Sequence, residues 1–289
     1  SSALISALFA LWRRSADLAP YVAPAVEEAG FSRLWIGTSL GGLETAEEAL
    51  RTTTYLHVAS GIVNIWRDDA DTVAASFHRL EARYPGRFLL GLGTGHPESV
   101  EGWAKPYESL SRYLDALDER GVPAERRILA ALGPRVLGLA RDRSAGAHPY
   151  LVTPEHTARA RAILGDGRLL VPEHKVVLVA DPARARAIGR PQVRTPYLGL
   201  VNYRNNLRRL GFTDDDMADG GSDRLVDALV AYGTPERVAD RLAQHLDAGA
   251  DEVAVQILTP GPDDDLRPLL ATLAEALRDY DAEPPHDGA

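Results

Sequence analysis

The chain contains no cysteine. Disulfides, thiolate nucleophiles and cysteine-built zinc sites are therefore excluded, and the absence fits a reducing compartment, the cytoplasm. No uninterrupted apolar run approaches the roughly 20 residues needed to span a bilayer. No basic tract stands out either, and a formal net charge of −9 over 289 residues argues against nucleic acid as the principal partner. The eight histidines show neither HxxxH nor HExxH spacing, so no metal constellation is signalled. Neither a Gly-x-Ser-x-Gly elbow nor a Walker loop is present. The opening stretch, SSALISALFALWRR, is apolar, but its charges follow the apolar run rather than precede it, which is the pattern of a first strand and not of a signal peptide.

What the chain does have is a 45% hydrophobic content, enough for a full core, arranged as short apolar runs separated by amphipathic stretches. The runs predict strands at 4–9, 33–37, 55–63, 87–92, 127–132, 147–152, 175–180 and 252–258. Their apolar character is nearly continuous rather than alternating, as in parallel strands covered on both faces. Between them, Val22, Val26 and Ala29 share one helix face, as do Val73, Phe77 and Leu80. TPERVADRLAQHLDAGA opens on a Thr cap with proline at the first turn and closes at Gly249. Ala29-Gly30, Ala145-Gly146 and Ala248-Gly249 each precede a strand, where glycine permits a left-handed helix C-cap. Strands alternating with helices predict an α/β fold, a (β/α)8 TIM barrel, as one domain over 1–281; a doubly wound sheet would use the same alternation. The regularity weakens over 181–233, which reads as a helical insertion or lid before the last strand, and 282–289 reads as a disordered tail.

One stretch poses a chemical question. In PGRFLLGLGTGHPE, residues 85–98, an apolar strand ends in Gly91, Gly93 and Gly95, followed at once by a histidine and a glutamate. A dinucleotide-binding turn needs G-x-G-x-x-G opening directly into a helix at the first strand; here the spacing is G-x-G-x-G, on about the fourth strand. A plain tight turn is the second reading. The third is a strand end stripped of side chains so that a flat ring system can lie over it at the mouth of a barrel, where such folds keep their active sites.

The run YPGRFLLGLGTGHPE resembles the signature of the luciferase-like flavin and deazaflavin oxidoreductases, and other pieces agree in order. GFSRLWIG resembles that family's second strand, HVASGIVNIW its third, RILAALGPRVLGLARDRSAGAHPYLVTPEH its fifth and sixth, and AYGTPERVADRLAQHLDAGADEVAVQIL its last helix and strand. The resemblance covers most of residues 20–260 and is nearest to the actinobacterial branch of coenzyme F420-dependent oxidoreductases. It implies a barrel that binds coenzyme F420, or FMN as the alternative. It also implies a small-molecule substrate, hydride transfer (or oxygen insertion if the cofactor is reduced FMN), and a homodimer. A barrel that binds flavin without catalysis stands as the rival.

The resemblance also assigns residues. A non-prolyl cis peptide behind the ring is expected at Gly61–Ile62, with Ser60–Gly61 as the alternative. Asn64 would meet the polar edge of the ring, with Thr94 and Gly95 against it. His96 occupies the place of a catalytic carboxylate and can act as acid or base near neutral pH; a capping role is the other reading. Where sugar-phosphate-oxidising relatives carry an Asp–His pair, this chain has Thr38 and Ser39, and Ser39 could hydrogen-bond substrate. Ala131 and Gly133 match the segment along the ribityl chain. Thr153, ahead of Pro154 and Glu155, could place helix N–H groups on a cofactor phosphate or simply cap the helix; Arg67 is a weaker phosphate candidate. Gln256, Trp66, Trp103 and Tyr203 are candidates for the pocket wall. His148, at the start of its strand, reads as structural, and Lys175 as lying on the face away from the mouth.

Overall fold

The computed structural model describes residues 8–95 and 105–281. His96, Trp103, most of the strand expected at 4–9 and the tail 282–289 lie outside the described residues.

Among the described residues ten strands form one all-parallel sheet: β1 (Phe9–Arg14), β2 (Arg33–Ser39), β3 (His57–Asn64), β4 (Phe88–Gly93), β5 (Arg127–Leu129), β6 (Gly146–Ala147), β7 (Leu169–Leu170), β8 (Glu173–Val177), β9 (Val230–Tyr232) and β10 (Val253–Ile257). Their order is β7-β6-β5-β4-β3-β2-β1-β10-β8-β9. Side chains alternate between two apolar layers. Phe9 and Leu11, Leu34 and Ile36, Val58 and Val63, and Val253 and Val255 join the large cluster under the helices. Ala10, Trp12, Trp35, Ala59 and Ala254 form a second cluster on the concave face. Both faces are buried, which is why the runs read as continuous.

One stretch of chain bonds in two directions. On one side Leu169 and Val171 donate to Ala145 and Ala147 at 2.8 and 3.0 Å, and Glu173 donates to Pro149 at 2.9 Å. On the other, Leu170 and Pro172 accept from Asp251 and Ala254, both at 2.9 Å. Residues 169–173 thus bond toward β6 and toward β10.

The first strand runs later than the apolar pattern suggested, because Arg13 and Arg14 extend it with charge carried at the strand's end. The sixth is far shorter: Pro149 has no N–H to donate, and Leu151 takes φ 58°, so the ladder stops at Ala147. β8 begins earlier, at Glu173, because a charged pair is buried inside it. β7 and β9, each of three residues or fewer, carry too few apolar positions to stand out.

Among the described residues the helices are α1 (Val22–Ala29), α2 (Glu44–Arg51), α3 (Ala70–Arg83), α4 (Pro106–Glu119), α5 (Pro134–Arg143), α6 (Pro154–Leu164), α7 (Pro182–Arg194), α8 (Val201–Arg209), α9 (Asp214–Met217), α10 (Asp223–Leu229), α11 (Pro235–Asp247) and α12 (Arg267–Asp281). Their starts follow the local chemistry. Asp69 accepts from Thr72 N at the head of α3, and Thr234 from Arg237 N at the head of α11, just before Pro235. Gly30 (φ 99°) ends α1 and Gly249 (φ 115°) follows α11 as expected. Gly146 does something else. A Cβ there would lie 1.8 Å from Leu169 O, so glycine permits the close pairing of β6 with β7.

The 181–233 region builds its own cluster around Val193, Tyr197, Leu207, Met217 and Leu225. Its acidic loop is internally bonded: Thr213 and Asp216 form a capping box, and Asp216 also receives Ser222 Oγ at 2.8 Å and pairs with Arg224.

Behind β8, His245 of α11 bridges Thr157 Oγ1 (2.8 Å) and His174 Nδ1 (2.9 Å), all three buried. Burial above all, with the Arg241 charge nearby, pushes His245 down to about 3 and His174 well below its ordinary value. These histidines are neutral in the fold and bind protons more readily once exposed, so they stabilise the fold above the unfolded pKa of about 6.5 and lose that contribution as pH falls through the window down to about 3. The urea midpoint should therefore drop between pH 7 and pH 5, and a His245→Gln variant should show a smaller drop over the same interval. An equal drop in both proteins would exclude His245 as a source.

Candidate active site

Each glycine of the strand that raised the question is answered by a residue of β3. β3 carries one residue more than β4 between the pairs Ala59–Leu89 and Val63–Leu92, a bulge, and the Gly61–Ile62 peptide within it is cis. A Cβ on Gly91 would lie 1.8 Å from Ser60 O, and Ser60 Oγ both donates to Gly91 O (2.9 Å) and accepts from Gly91 N (2.8 Å). A Cβ on Gly93 would meet Ile62 Cδ1 at 2.8 Å. Gly95 sits at φ 59°, and a Cβ there would lie 2.4 Å from Asn64 Nδ2. Asn64 Oδ1 is held in turn by Trp66 N at 2.8 Å. The result is a floor almost without side chains, from which Ile62 and Asn64 project.

This floor belongs to a cavity of about 530 Å³ at the C-terminal ends of the strands, within the size range of cofactor sites. Gly61, Ile62, Asn64, Thr94, Gly95, Ala131 and Gly133 line it, as do Arg67 and Tyr203. Ser39 and Thr153 are not among its lining residues. The Ser39 hydroxyl donates to Ile36 O at 2.6 Å, whereas Thr38, at φ 54°, faces the cavity. Thr153 caps α6, accepting from His156 N at 3.4 Å. Gly133, the cap of α5, lines the cavity, and a Cβ there would be 3.5 Å from Arg209 Nη2; Pro106, the first residue of α4, lines it as well.

Several lining residues carry little sequence signal. Trp12 and Arg14 come from β1, and Tyr150 from the loop after β6. Tyr197, Asn202, Asn205 and Arg209 come from the segment after α7. The aromatics form one wall: Trp12–Tyr150, Tyr150–Tyr197 and Tyr197–Tyr203 ring centroids are 5.2, 5.1 and 5.0 Å apart. HPY at 148–150 was the available cue, but its strand start placed it far from the mouth. His148 in fact lines the cavity. Its ring stacks on Trp35 at 4.1 Å, Nδ1 is 2.6 Å from Val171 O, and burial pushes its pKa down to about 4. The described lining residues include Arg14, Arg67 and Arg209 and no carboxylate, in a chain whose net charge is −9.

Beneath the aromatic wall lies a buried ion pair. Lys175, expected on the far face, points into the interior, with Nζ 3.0 Å from Glu173 Oε2 and 4.0 Å from the Tyr150 ring centroid. Gln256 accepts from the Tyr150 hydroxyl at 3.1 Å, fixing that ring, and is not itself among the lining residues. No group of three His, Cys, Asp or Glu suited to a metal ion occurs among the described residues.

Residues 14–121 match the family model described as luciferase-like monooxygenase. The matched portion runs from the end of β1 to the turn after α4, and so holds the β3–β4 floor. No curated protein matches the chain in sequence. Among solved structures, an F420-dependent secondary alcohol dehydrogenase in complex with an F420-acetone adduct has a TM-score of 0.70 at 13% identity, over 94% of this chain and 99% of that one. A coenzyme F420-dependent tetrahydromethanopterin reductase from Methanopyrus kandleri has a TM-score of 0.69 at 16% identity, over 94% and 99%. The oxygenating constituent of 3,6-diketocamphane monooxygenase from Pseudomonas putida, in complex with FMN, has a TM-score of 0.67 at 13% identity, over 94% and 96%. At such identities the likeness is one of fold. The luciferase-like resemblance read in the sequence is thus found again in the family match and in the fold.

The ion pair under the site gives a stability prediction. Burial acts against both charges, raising Glu173 and lowering Lys175; their mutual contact opposes it in both, and the Leu151 N–H, donating to Glu173, opposes it further there. Lys175→Met alone should cost about 3–5 kcal/mol in urea unfolding, because a buried carboxylate loses its partner. Adding Glu173→Gln should recover most of that loss, whereas additive costs would mean the two groups are not coupled.

Proposed function

We propose that the chain is an oxidoreductase that binds coenzyme F420 and moves hydride between it and a small organic substrate. The observation that carries this reading is a cavity with a bare, glycine-built floor whose described lining holds three arginines and no carboxylate, Arg67 being paired at 3.4 Å with Asp68 outside that lining. A Cβ-free floor suits a flat ring, and the arginines suit an anion. Both F420 and FMN bear a phosphate, and F420 carries further carboxylates, which favours it here. Such a cofactor, when bound, supplies the redox chemistry; the protein binds, orients and excludes water. In this reading Ile62 and Gly93 support the ring, Asn64 Nδ2 offers a donor to its edge, and Ala131 and Gly133 leave room for the chain beyond it. Arg209 and the first turn of α5 hold the phosphate. His96 serves as the acid or base, on its chemistry and its place in the resemblance. FMN with oxygen remains the alternative cofactor and reaction.

The same proposal takes the sheet as a closed (β/α)8 barrel, a single domain over 1–281 with 181–233 as an insertion. Its support is the two-sided bonding of residues 169–173. A cytoplasmic homodimer is carried from the resemblance. No helix among the described residues is long and apolar enough to cross a membrane.

Titration with F420 and, separately, FMN, followed by cofactor fluorescence, should give micromolar binding of F420 and weaker binding of FMN. The reverse order would move the assignment to oxygen chemistry, and binding of neither would remove it. Arg209→Ala should weaken F420 about ten- to a hundredfold, the loss expected for one charge-assisted hydrogen bond, with the thermal midpoint unchanged. His96→Ala should lower turnover by about 10²–10⁴ while leaving the cofactor Kd within twofold; unaltered turnover would end its assignment as acid or base.

A further inference from the structure

The arginines that line the cavity do not share one place. Arg209 lies against Gly133, just after β5, where a Cβ would be 3.5 Å from its Nη2. Arg14 ends β1, and β2, β3 and β4 stand between β1 and β5 in the sheet. The groups that the Arg14 charge reaches lie in the other direction: Lys175 of β8, which is separated from β1 by β10 alone, and Tyr197 above it. The lining therefore offers an anion two separate positions, one beside α5 and one at the end of β1, with the glycine floor of β3 and β4 between them.

The other cations around the cavity already hold oxygen partners. Arg67 pairs with Asp68 at 3.4 Å and donates to Ser39 O at 3.1 Å, Lys175 holds Glu173 at 3.0 Å, and Arg209 Nη2 donates to Asn206 Oδ1 at 3.3 Å. Arg14 is half-buried, lines the open cavity and is in no ion pair among the described residues. Its surroundings are aromatic. Trp12, two residues earlier, lies on the same strand face and also lines the cavity, and Tyr197 stacks at 5.1 Å from Tyr150. Lys175 Nζ lies 5.5 Å from the Tyr197 ring centroid. Burial raises the Tyr197 hydroxyl and lowers Lys175, and the Arg14 charge opposes the first effect and adds to the second. A guanidinium set among rings and beside a second cation gains most from an anion. Its planar fork of N–H groups matches one carboxylate in a bidentate fit, and the rings suit an apolar body attached to it.

We propose that Arg14 holds the carboxylate of the organic substrate, which makes the substrate class a small carboxylic acid with an apolar body seated along Trp12 and Tyr197. The inference rests on the reading of this cavity as a joint site for cofactor and substrate. In it the cofactor phosphate goes to Arg209 and α5, and the substrate charge goes to the β1 side of the floor. The further carboxylates of F420 follow its phosphate along the same chain, on the Gly133 side, so the anion at Arg14 comes from the substrate and not from the cofactor.

The test is calorimetric titration of the purified full chain with two probes of the same shape, cyclohexanecarboxylate and the neutral cyclohexanecarboxamide. The carboxylate should bind about ten- to a hundredfold more tightly, the range for a hydrogen bond to a charged group, and should still bind when F420 is saturating. Arg14→Met should abolish the preference while keeping the F420 Kd within about twofold. Arg14→Lys should retain a preference reduced about three- to tenfold, because a single ammonium loses the bidentate fit. Arg209→Ala should leave the preference as it is. Equal affinity for the two probes, or binding of neither, would overturn the proposal. So would a preference that survives Arg14→Met or vanishes in Arg209→Ala, and so would displacement of the carboxylate by F420. A weaker F420 complex in Arg14→Met would also overturn it, by giving the Arg14 position to the carboxylates of the cofactor. A carboxylate preference that depends on Arg14 in a chain that binds no F420 would support the acid site and overturn the cofactor reading alone. If Arg14→Met does not fold, Arg14→Lys decides: a reduced preference supports the proposal, and an unaltered one overturns it.

Discussion

The architecture of the cavity depends on one steric constraint, the fit of a bulged β3 against β4. β3 carries an extra residue between Ala59 and Val63, and its backbone and side chains press toward the neighbouring strand at Ser60, Ile62 and Asn64. β4 and the residues just after it can receive them only because there is no Cβ at 91, 93 and 95. Gly91 takes the closest approach, a strand carbonyl, and the Ser60 hydroxyl closes it with two hydrogen bonds. Without that fit neither the bare floor nor the placement of Asn64 follows. The inner face repeats the device, since a Cβ on Gly37 would lie 2.3 Å from the Trp12 ring. That lets a large indole lie across strands whose other inward residues are small.

Charge is arranged on the same economy. The chain is acidic overall, yet the described lining of the cavity holds arginines without carboxylates. The acidic side chains are spent elsewhere: on helix caps such as Asp69 and Asp181, on the loop network around Asp216, and on outer pairs such as Arg186–Asp227. Local potential in a low-dielectric cleft is set by the nearest charges, so a negative total and a positive pocket coexist without conflict.

The sequence made the alternation of strands and helices legible because parallel strands buried on both faces leave continuous apolar runs. It also pointed to β3 and the glycines of β4, where the pattern of small residues is local. It misplaced what depends on distant partners. Ser39 and Thr153 have the right chemistry at strand ends, but one hydroxyl is taken by Ile36 O and the other caps a helix. His148 and Lys175 were read as remote because the sixth strand was drawn too long and β8 too late. Tyr197, Asn202, Asn205 and Arg209 come from the region after α7, whose polar spacing gives no period to read. Only tertiary folding brings them over the cavity.

The cavity is consequently made of two unlike materials. Its floor is backbone and glycine within residues 14–121, where nearly every atom is pinned by a neighbouring strand. Its opposite wall is long side chains on short helices, packed in a cluster of their own. A substitution in the floor is felt across the whole sheet, whereas an exchange of Asn202, Tyr203 or Asn205 alters the wall alone. Changes of ligand preference are therefore cheapest in the segment between β8 and β9. Two chains with the same floor could diverge in what they accept while keeping the same way of holding it.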